Sequence, residues 1–281
     1  MTAIEHPING AGVLRPRALI VTIYGLYARE LGGRLSVASL IRLMRDVGID
    51  EPAVRSSISR LKRRGILEPE RQGKLAAYGL SEQAREILNE GDRRIFERPR
   101  ANLAEGWLLA VFSVPEAERH KRHMLRSRLT WLGFGTVSAG VWIAPGHLDD
   151  ETRDVLRRYD LAGYVDLFRA DYLAFRDVAA QVARWWDLAE LDALYRDFLD
   201  RYQPMLANWR RRRSAHEAAA FADYVRALTA WRRLPFLDPG LAQEVLPRAW
   251  NGARAADLFF ELDRRLRVPA HQHVANVRIG E

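Results

Sequence analysis

The sequence predicts a mostly helical α+β protein, and three observations carry that prediction. Between Asp50 and Leu80, a helix with one apolar face and one Ser/Arg face precedes a short hairpin pattern. From Trp107 to Arg169 the apolar runs read strand, helix, strand, strand, helix, strand. After Tyr172 the apolar spacing is helical almost to the end. Three domains follow: an N-terminal winged helix-turn-helix over 1–98, a central ferredoxin-like βαββαβ domain over 99–172, and an all-helical C-terminal domain over 173–281.

In order, residues up to Pro16 lack periodicity and read as a loose arm. Leu19, Ile23 and Leu26 stripe a helix from about Arg17 to Leu31, which Gly32-Gly33 end. Ser36 caps a second helix carrying Val37, Leu40, Ile41, Met44 and Val47, and Gly48-Ile49 makes the tight turn a helix-turn-helix requires. The third helix starts at Asp50 or Glu51, with Pro52 suited to its opening turn. Val54, Ile58 and Leu61 recur at i, i+4, i+7, so at about 100° per residue they bury one face. The opposite face presents Ser56, Ser59, Arg60 and Arg63, flanked by Arg55 and Lys62. Gly65 stops the helix. The runs 66–70 and 75–80 then pair across Arg71-Gln72-Gly73-Lys74, a basic wing tip.

Such a helix suits the DNA major groove. Arginine can donate two hydrogen bonds to guanine O6 and N7, and serine hydroxyls suit bases or phosphates. The expected contacts to double-stranded DNA are Arg55, Ser56, Ser59, Arg60, Lys62 and Arg63 from the helix, with Arg71 and Lys74 from the wing. The competing reading is a solvated basic helix, which charge alone does not exclude. What favours DNA is agreement between levels, because the preceding helix, the turn and the hairpin all fit one unit.

Ser81 opens a further helix to about Phe96, and Arg98-Pro99-Arg100 with Asn102 reads as a linker. The central stretch begins with the strand WLLAVFSV, ended by Pro115. A helix from Glu116 to Leu132, two strands bent at Ser138-Ala139-Gly140, a helix from about Asp149 to Tyr159 and a strand from Tyr164 to Arg169 complete the βαββαβ order. Beyond it, a long helix from Phe175 to Tyr202 is expected to break at Pro204. Another runs from about Ala215 to Arg233, and a last one from about Ala253 to Leu266 ends before Pro269, leaving a loose tail.

Composition narrows the function classes. The net charge of +8 is carried almost wholly by arginine, which favours a polyanionic partner: nucleic acid or a phosphate-bearing small molecule. With no cysteine there is no disulfide, thiolate metal site or thiol nucleophile. No signal-peptide pattern opens the chain and no run approaches a membrane span, so a cytoplasmic protein without membrane association is expected. No P-loop, G-x-S-x-G or H-E-x-x-H occurs, and no catalytic residue, metal ligand or cofactor is expected.

These residues lead to a resemblance. Thr22 and Gly25, Ala53-Val54-Arg55, Ser59-Arg60-Leu61, and Gly65, Gly73, Tyr78 and Leu80 are similar to the phenylacetate-degradation repressor (PaaX-like) family, as are Asp238-Pro239, Leu246-Pro247 and Trp250-Asn251-Gly252 near the other end. The resemblance implies a dimeric transcriptional repressor with a winged helix, a central domain similar to the small CRISPR-adaptation nucleases, and a helical C-terminal domain. It also implies release from DNA by an aryl-CoA thioester, phenylacetyl-CoA in the best-known members. Two departures matter. Gly73-Lys74 stands where Gly-Arg is expected, which keeps charge but weakens bidentate recognition. The first central strand ends in Ser113-Val114-Pro115, without the Asp that holds metal in those nucleases, so no cleavage activity is expected.

The effector site is not legible. Arg210–Arg213 after Trp209 suits a CoA diphosphate, against the plainer reading of a solvated stretch. Trp250-Asn251-Gly252 suits an aryl group, against a packing corner. Trp185-Trp186 reads as core and interface, His120 and His123 as packing and surface, and His271-x-His273, which would bind a metal only with further ligands from elsewhere, as incidental. The expected protein is thus a homodimeric, effector-released repressor on a two-fold symmetric operator. The rivals are an RNA- or protein-binding regulator that uses the winged helix to dock, and a metal-dependent nuclease on the central domain.

Overall fold

The structure, a computed structural model, describes residues 14–29, 32–72, 75–173, 175, 177–212, 214 and 216–279; the side chains of 71, 72 and 279 lie outside that description. The arm expected before Pro16 falls almost wholly outside it. The chain is a mostly helical α+β protein and divides into two compact units. One takes in the chain to Arg93, Arg196–Arg233 and the chain from Gly252; the other is Arg94–Tyr195 with Leu234–Asn251.

In the first unit, α1 (Pro16–Ile23) continues as a π-helical turn, Tyr24–Ala28. Then come β1 (Arg34–Ser36), α2 (Val37–Asp46), α3 (Glu51–Arg63), β2 (Leu67–Gln72), β3 (Leu75–Leu80) and α4 (Glu82–Asp92). The hairpin gains a strand that sequence periodicity did not reveal: β1 pairs antiparallel with β3, giving the order β1-β3-β2. Three residues are too few to show an alternation. The rest of this unit is the later turns of α8 (Leu188–Arg211), α9 (Glu217–Trp231) and α11 (Asn251–Ile279). Its core includes Phe198, Trp231 and Phe259, with the last two rings stacked 4.8 Å apart.

In the second unit, β4 (Trp107–Phe112), α5 (Arg119–Leu132), β5 (Gly135–Ser138), β6 (Val141–Pro145), α6 (Asp149–Arg158) and β7 (Val165–Ala170) follow the expected βαββαβ order. The sheet runs β5-β6-β4-β7 with every neighbour antiparallel. Leu108, Ala110 and Phe112 point to the face covered by Leu125, Leu129 and Leu132 of α5 and by Val155 and Leu156 of α6. On the other face Trp107 meets Trp185 of α7 (Val178–Trp185) and its neighbour Trp186. A Cβ on Gly135 would lie 2.7 Å from the Trp185 carbonyl, so glycine is required there. The unit also holds the short helix α10 (Leu234–Leu237).

Three expectations change. The long helix is two: it breaks between Trp185 and Leu188, and Pro204 sits inside α8. Pro204 is exposed, so the carbonyl it releases can stay hydrated while Phe198, Leu199, Tyr202, Leu206 and Trp209 bury the other face. Pro269 likewise sits inside α11, and the tail expected to be loose is helical to Ile279. Leu262, Leu266, Ala270, Val274 and Val277 are buried on one stripe through the proline. Each fully buried Leu or Val contributes about 1.5–3 kcal/mol, so together they outweigh the roughly 3 kcal/mol cost of a helical proline. His273 Nε2 lies 2.7 Å from Asp46 Oδ2, which joins that tail to α2.

The third change is the linker. Arg98, at φ +48°, is mostly buried, and its Nη2 donates to Asp238 Oδ2 at 2.9 Å and to the Tyr195 hydroxyl oxygen at 3.0 Å. The Tyr195 hydroxyl donates to the same carboxylate oxygen at 2.7 Å, and Ala101 N–H donates to the Gly240 carbonyl. The segment is fastened within its own unit, by Asp238 of the Asp-Pro motif. Among the described residues, no helix is long and apolar enough to cross a membrane.

Candidate nucleic-acid interface

Local chemistry fixes the third helix at both ends. Ser36 Oγ caps α2 by accepting from Ser39 N–H at 2.9 Å. At the other end of α2, Gly48 at φ +81° donates to the Arg45 carbonyl and Ile49 to the Met44 carbonyl, both at 2.9 Å. That paired closure needs a left-handed residue, and it turns the chain into α3. Of the two acids offered as a cap, Asp50 does the work: its Oδ1 accepts from Ala53 N–H at 2.8 Å. Past Arg63 the same closure recurs around Gly65 at φ +66°, with Gly65 donating to the Lys62 carbonyl and Ile66 to the Leu61 carbonyl. Ser81 Oγ then donates to the Gly65 carbonyl at 2.6 Å, tying the helix end to the base of the hairpin. The buried Tyr24 hydroxyl donates to the Tyr78 carbonyl at 3.0 Å, so the first helical segment also holds β3. Burial first, then Glu70 and Tyr78, raise the Tyr24 pKa, keeping it a neutral donor.

The two faces of α3 fall where the spacing placed them. Val54, Ser57, Ile58 and Leu61 are buried, and Arg55, Ser56, Ser59, Arg60, Lys62 and Arg63 are exposed. The exposed residues are not equivalent. Arg55 Nε is 2.7 Å from Glu51 Oε1 one turn back, so its guanidinium already has a carboxylate. Among the described residues, Arg60 and Arg63 have no such partner. With Arg17 of α1 and Arg64, which caps the helix end, they line an open hollow of about 390 Å³. Burial, and after it the guanidiniums of Arg64, Arg60 and Arg15, pull the Arg17 pKa below its usual value. In the wing, Arg71 lies in β2 with its side chain outside the description, and Lys74 falls outside the described residues.

Arg17 and Arg64 were missing from the sequence-derived contact set. Arg64 stands in the basic run but beyond the helix end, where face assignment by spacing stops. Arg17 belongs to another element, and no spacing rule connects it to α3.

The other candidates are engaged within the protein. Arg210 pairs with Glu261 of α11, Arg211 donates to Asn208 Oδ1, and Arg212 lies over the Trp209 ring at 4.3 Å; Arg213 is outside the described residues. Asp192 accepts from both Asn251 N–H and Asn251 Nδ2, each at 2.9 Å, while Trp250 packs edge-on to Tyr195. The Trp-Asn-Gly motif is therefore a packing corner at the start of α11.

Comparison with known proteins matches three domain families in order along the chain. PaaX-like protein covers residues 15–84, the PaaX protein central Cas2-like domain 100–182, and the PaaX-like protein C-terminal domain 186–276. The chain belongs to the PaaX-like family. Its PaaX-like relatives include the transcriptional repressor PaaX of Escherichia coli (strain K12), 26% identical over 271 residues, which span 94% of this chain and 84% of that one. Among solved structures, uncharacterized protein Rv0674 from Mycobacterium tuberculosis is similar at a TM-score of 0.60 and 21% identity, over 95% of this chain and 99% of that one. That likeness bears on the fold alone. The first PaaX-like match runs from α1 into the first turn of α4, and so contains the whole arginine hollow.

Proposed function

We propose that this PaaX-like chain is a transcriptional repressor and not an enzyme. It reads double-stranded DNA with the exposed face of α3 and binds a two-fold symmetric operator as a homodimer. A small-molecule effector, an aryl- or acyl-CoA thioester such as phenylacetyl-CoA, releases it. The observation that carries the DNA reading is the hollow of four arginines beside the exposed serines, with no carboxylate among the described residues answering the charge. Clustered guanidiniums repel one another, and an array of backbone phosphates supplies the missing negative charge. The repressor role follows from the E. coli relative's. The effector follows from the family resemblance, and two-fold symmetry from the way paired recognition helices meet two half-sites. Release is linkage: an effector that binds the DNA-incompetent arrangement better lowers operator affinity by that difference.

The test is selection of bound fragments from the source genome, followed by binding to the recovered duplex across a salt series. The expected result is one preferred sequence, steep salt dependence, and a loss of about 1–3 kcal/mol on Arg63→Ala with the fold intact. Binding to any duplex with no sequence preference would refute the reading. Titration of phenylacetyl-CoA into the complex tests the effector separately.

A further inference from the structure

We propose that the DNA-contacting surface extends past the winged helix to the C-terminal end of α9, where Arg233 continues the arginine hollow along one strand's backbone phosphates and Arg232, its Nε buried, fastens that end to α1. This rests on the DNA reading above and enlarges it, because Arg233 belongs to the chain's last third, within the match to the C-terminal family domain.

The placement comes from the packing of α9 on α1. Thr229 Oγ1 lies 2.8 Å from Thr22 Oγ1, and three residues on, Arg232 Nη2 donates to the Ala18 carbonyl at 3.4 Å. As α9 approaches its C-terminus, it therefore meets the beginning of α1. Arg232 reaches the residue next to Arg17, which lines the hollow.

The charge pattern is the second observation. Several arginines of this unit are matched by acids: Arg29 by Asp92, Arg55 by Glu51, Arg210 by Glu261, Arg267 by Asp263. Among the described residues, no carboxylate pairs with Arg17, Arg60, Arg63, Arg64 or Arg233. The pKa values agree with this arrangement. Burial, then Arg233, brings Arg232 down to about 10; burial, then Arg15, lowers Arg233. One run of unmatched positive charge thus passes from α3 over the start of α1 to the end of α9. Phosphate contacts of this kind add affinity without sequence preference.

The experiment measures binding of the full chain to the genome-selected duplex and to a random-sequence duplex over a salt series. Arg17→Gln and Arg233→Gln should each weaken both by a similar factor, on the order of fivefold, and reduce the slope of log K against log salt by about 0.9. Arg233→Lys should restore the slope, and Arg210→Gln, outside this surface, should leave it unchanged. Thermal melts of each variant separate unfolding from lost contacts. If the parent chain binds and Arg63→Ala weakens it, yet Arg17→Gln and Arg233→Gln leave slope and affinity unmoved, the extension is wrong and the DNA reading stands. If the parent chain binds no duplex, both fall. If the two variants lose only the capacity to bind pyrophosphate, the hollow serves a small phosphate ligand and the extension is overturned.

Discussion

The contact between Thr22 and Thr229 joins α1, which carries Arg17, to α9, and it can be tested by a double-mutant cycle. Both hydroxyls are buried, and each has one proton. Thr22 donates to the Ala18 carbonyl at 3.1 Å. The Thr229 proton then has two acceptors, Thr22 Oγ1 at 2.8 Å and the Val225 carbonyl at 2.6 Å. Valine keeps the shape and removes the hydroxyl. Thr229→Val deletes both alternatives, yet Thr22 keeps its bond to Ala18, so no buried donor is stranded and the loss should be about 1 kcal/mol. Thr22→Val leaves Thr229 its bond to Val225, and should also cost about 1 kcal/mol. The double variant should lose less than the sum, with a coupling of about 0.5–1 kcal/mol, because either single change already removes the inter-helix bond. Urea unfolding followed by circular dichroism and tryptophan fluorescence reads this directly, Trp231 lying in the same unit. In thermal melts each kcal/mol corresponds to about 2–4 °C for a unit of this size. Additivity within about 0.3 kcal/mol would mean that no hydrogen bond joins the two helices.

Two further outcomes follow from charge pairs. Asp238→Ala strands the mostly buried Arg98 guanidinium and should cost about 3–5 kcal/mol in chemical denaturation, whereas Arg98→Met with Asp238→Leu should recover part of it, the Tyr195 hydroxyl and Gly240 N–H still lacking their acceptor; equal losses would refute the pairing. Hydrogen bonding from Arg210, reinforced by Arg265 and opposed by burial, holds the Glu261 carboxyl down to about 2, from 4.5. A depressed carboxyl pKa stabilises the fold fully above 4.5, and the contribution is lost as pH falls from there through about 2. Glu261→Gln should flatten the acid limb of stability in that window, and an unchanged limb would show that the pair does not hold in solution.

Much of the architecture was local and therefore legible. Ser36, Asp50, Gly48 and Gly65 act within a few residues of themselves, so caps and turns declared both ends of α2 and α3. The apolar runs and turn signals of the central stretch gave βαββαβ for the same reason. The proline breaks misled because propensity was weighed without burial. The stripe Leu262, Leu266, Ala270, Val274 and Val277 ran through Pro269 in plain view, and it was the larger energy.

The sequence by itself determined which side of the third helix faces water, since helical periodicity sorts Val54, Ile58 and Leu61 from Ser59, Arg60 and Arg63. Only the tertiary structure decided which exposed arginines are already answered by acids. It also brought the end of α9, through Arg232, against the start of α1 beside Arg17, residues far apart along the chain. Periodicity acts over a few residues, whereas electrostatic pairing depends on distance through space, which the order of residues does not contain.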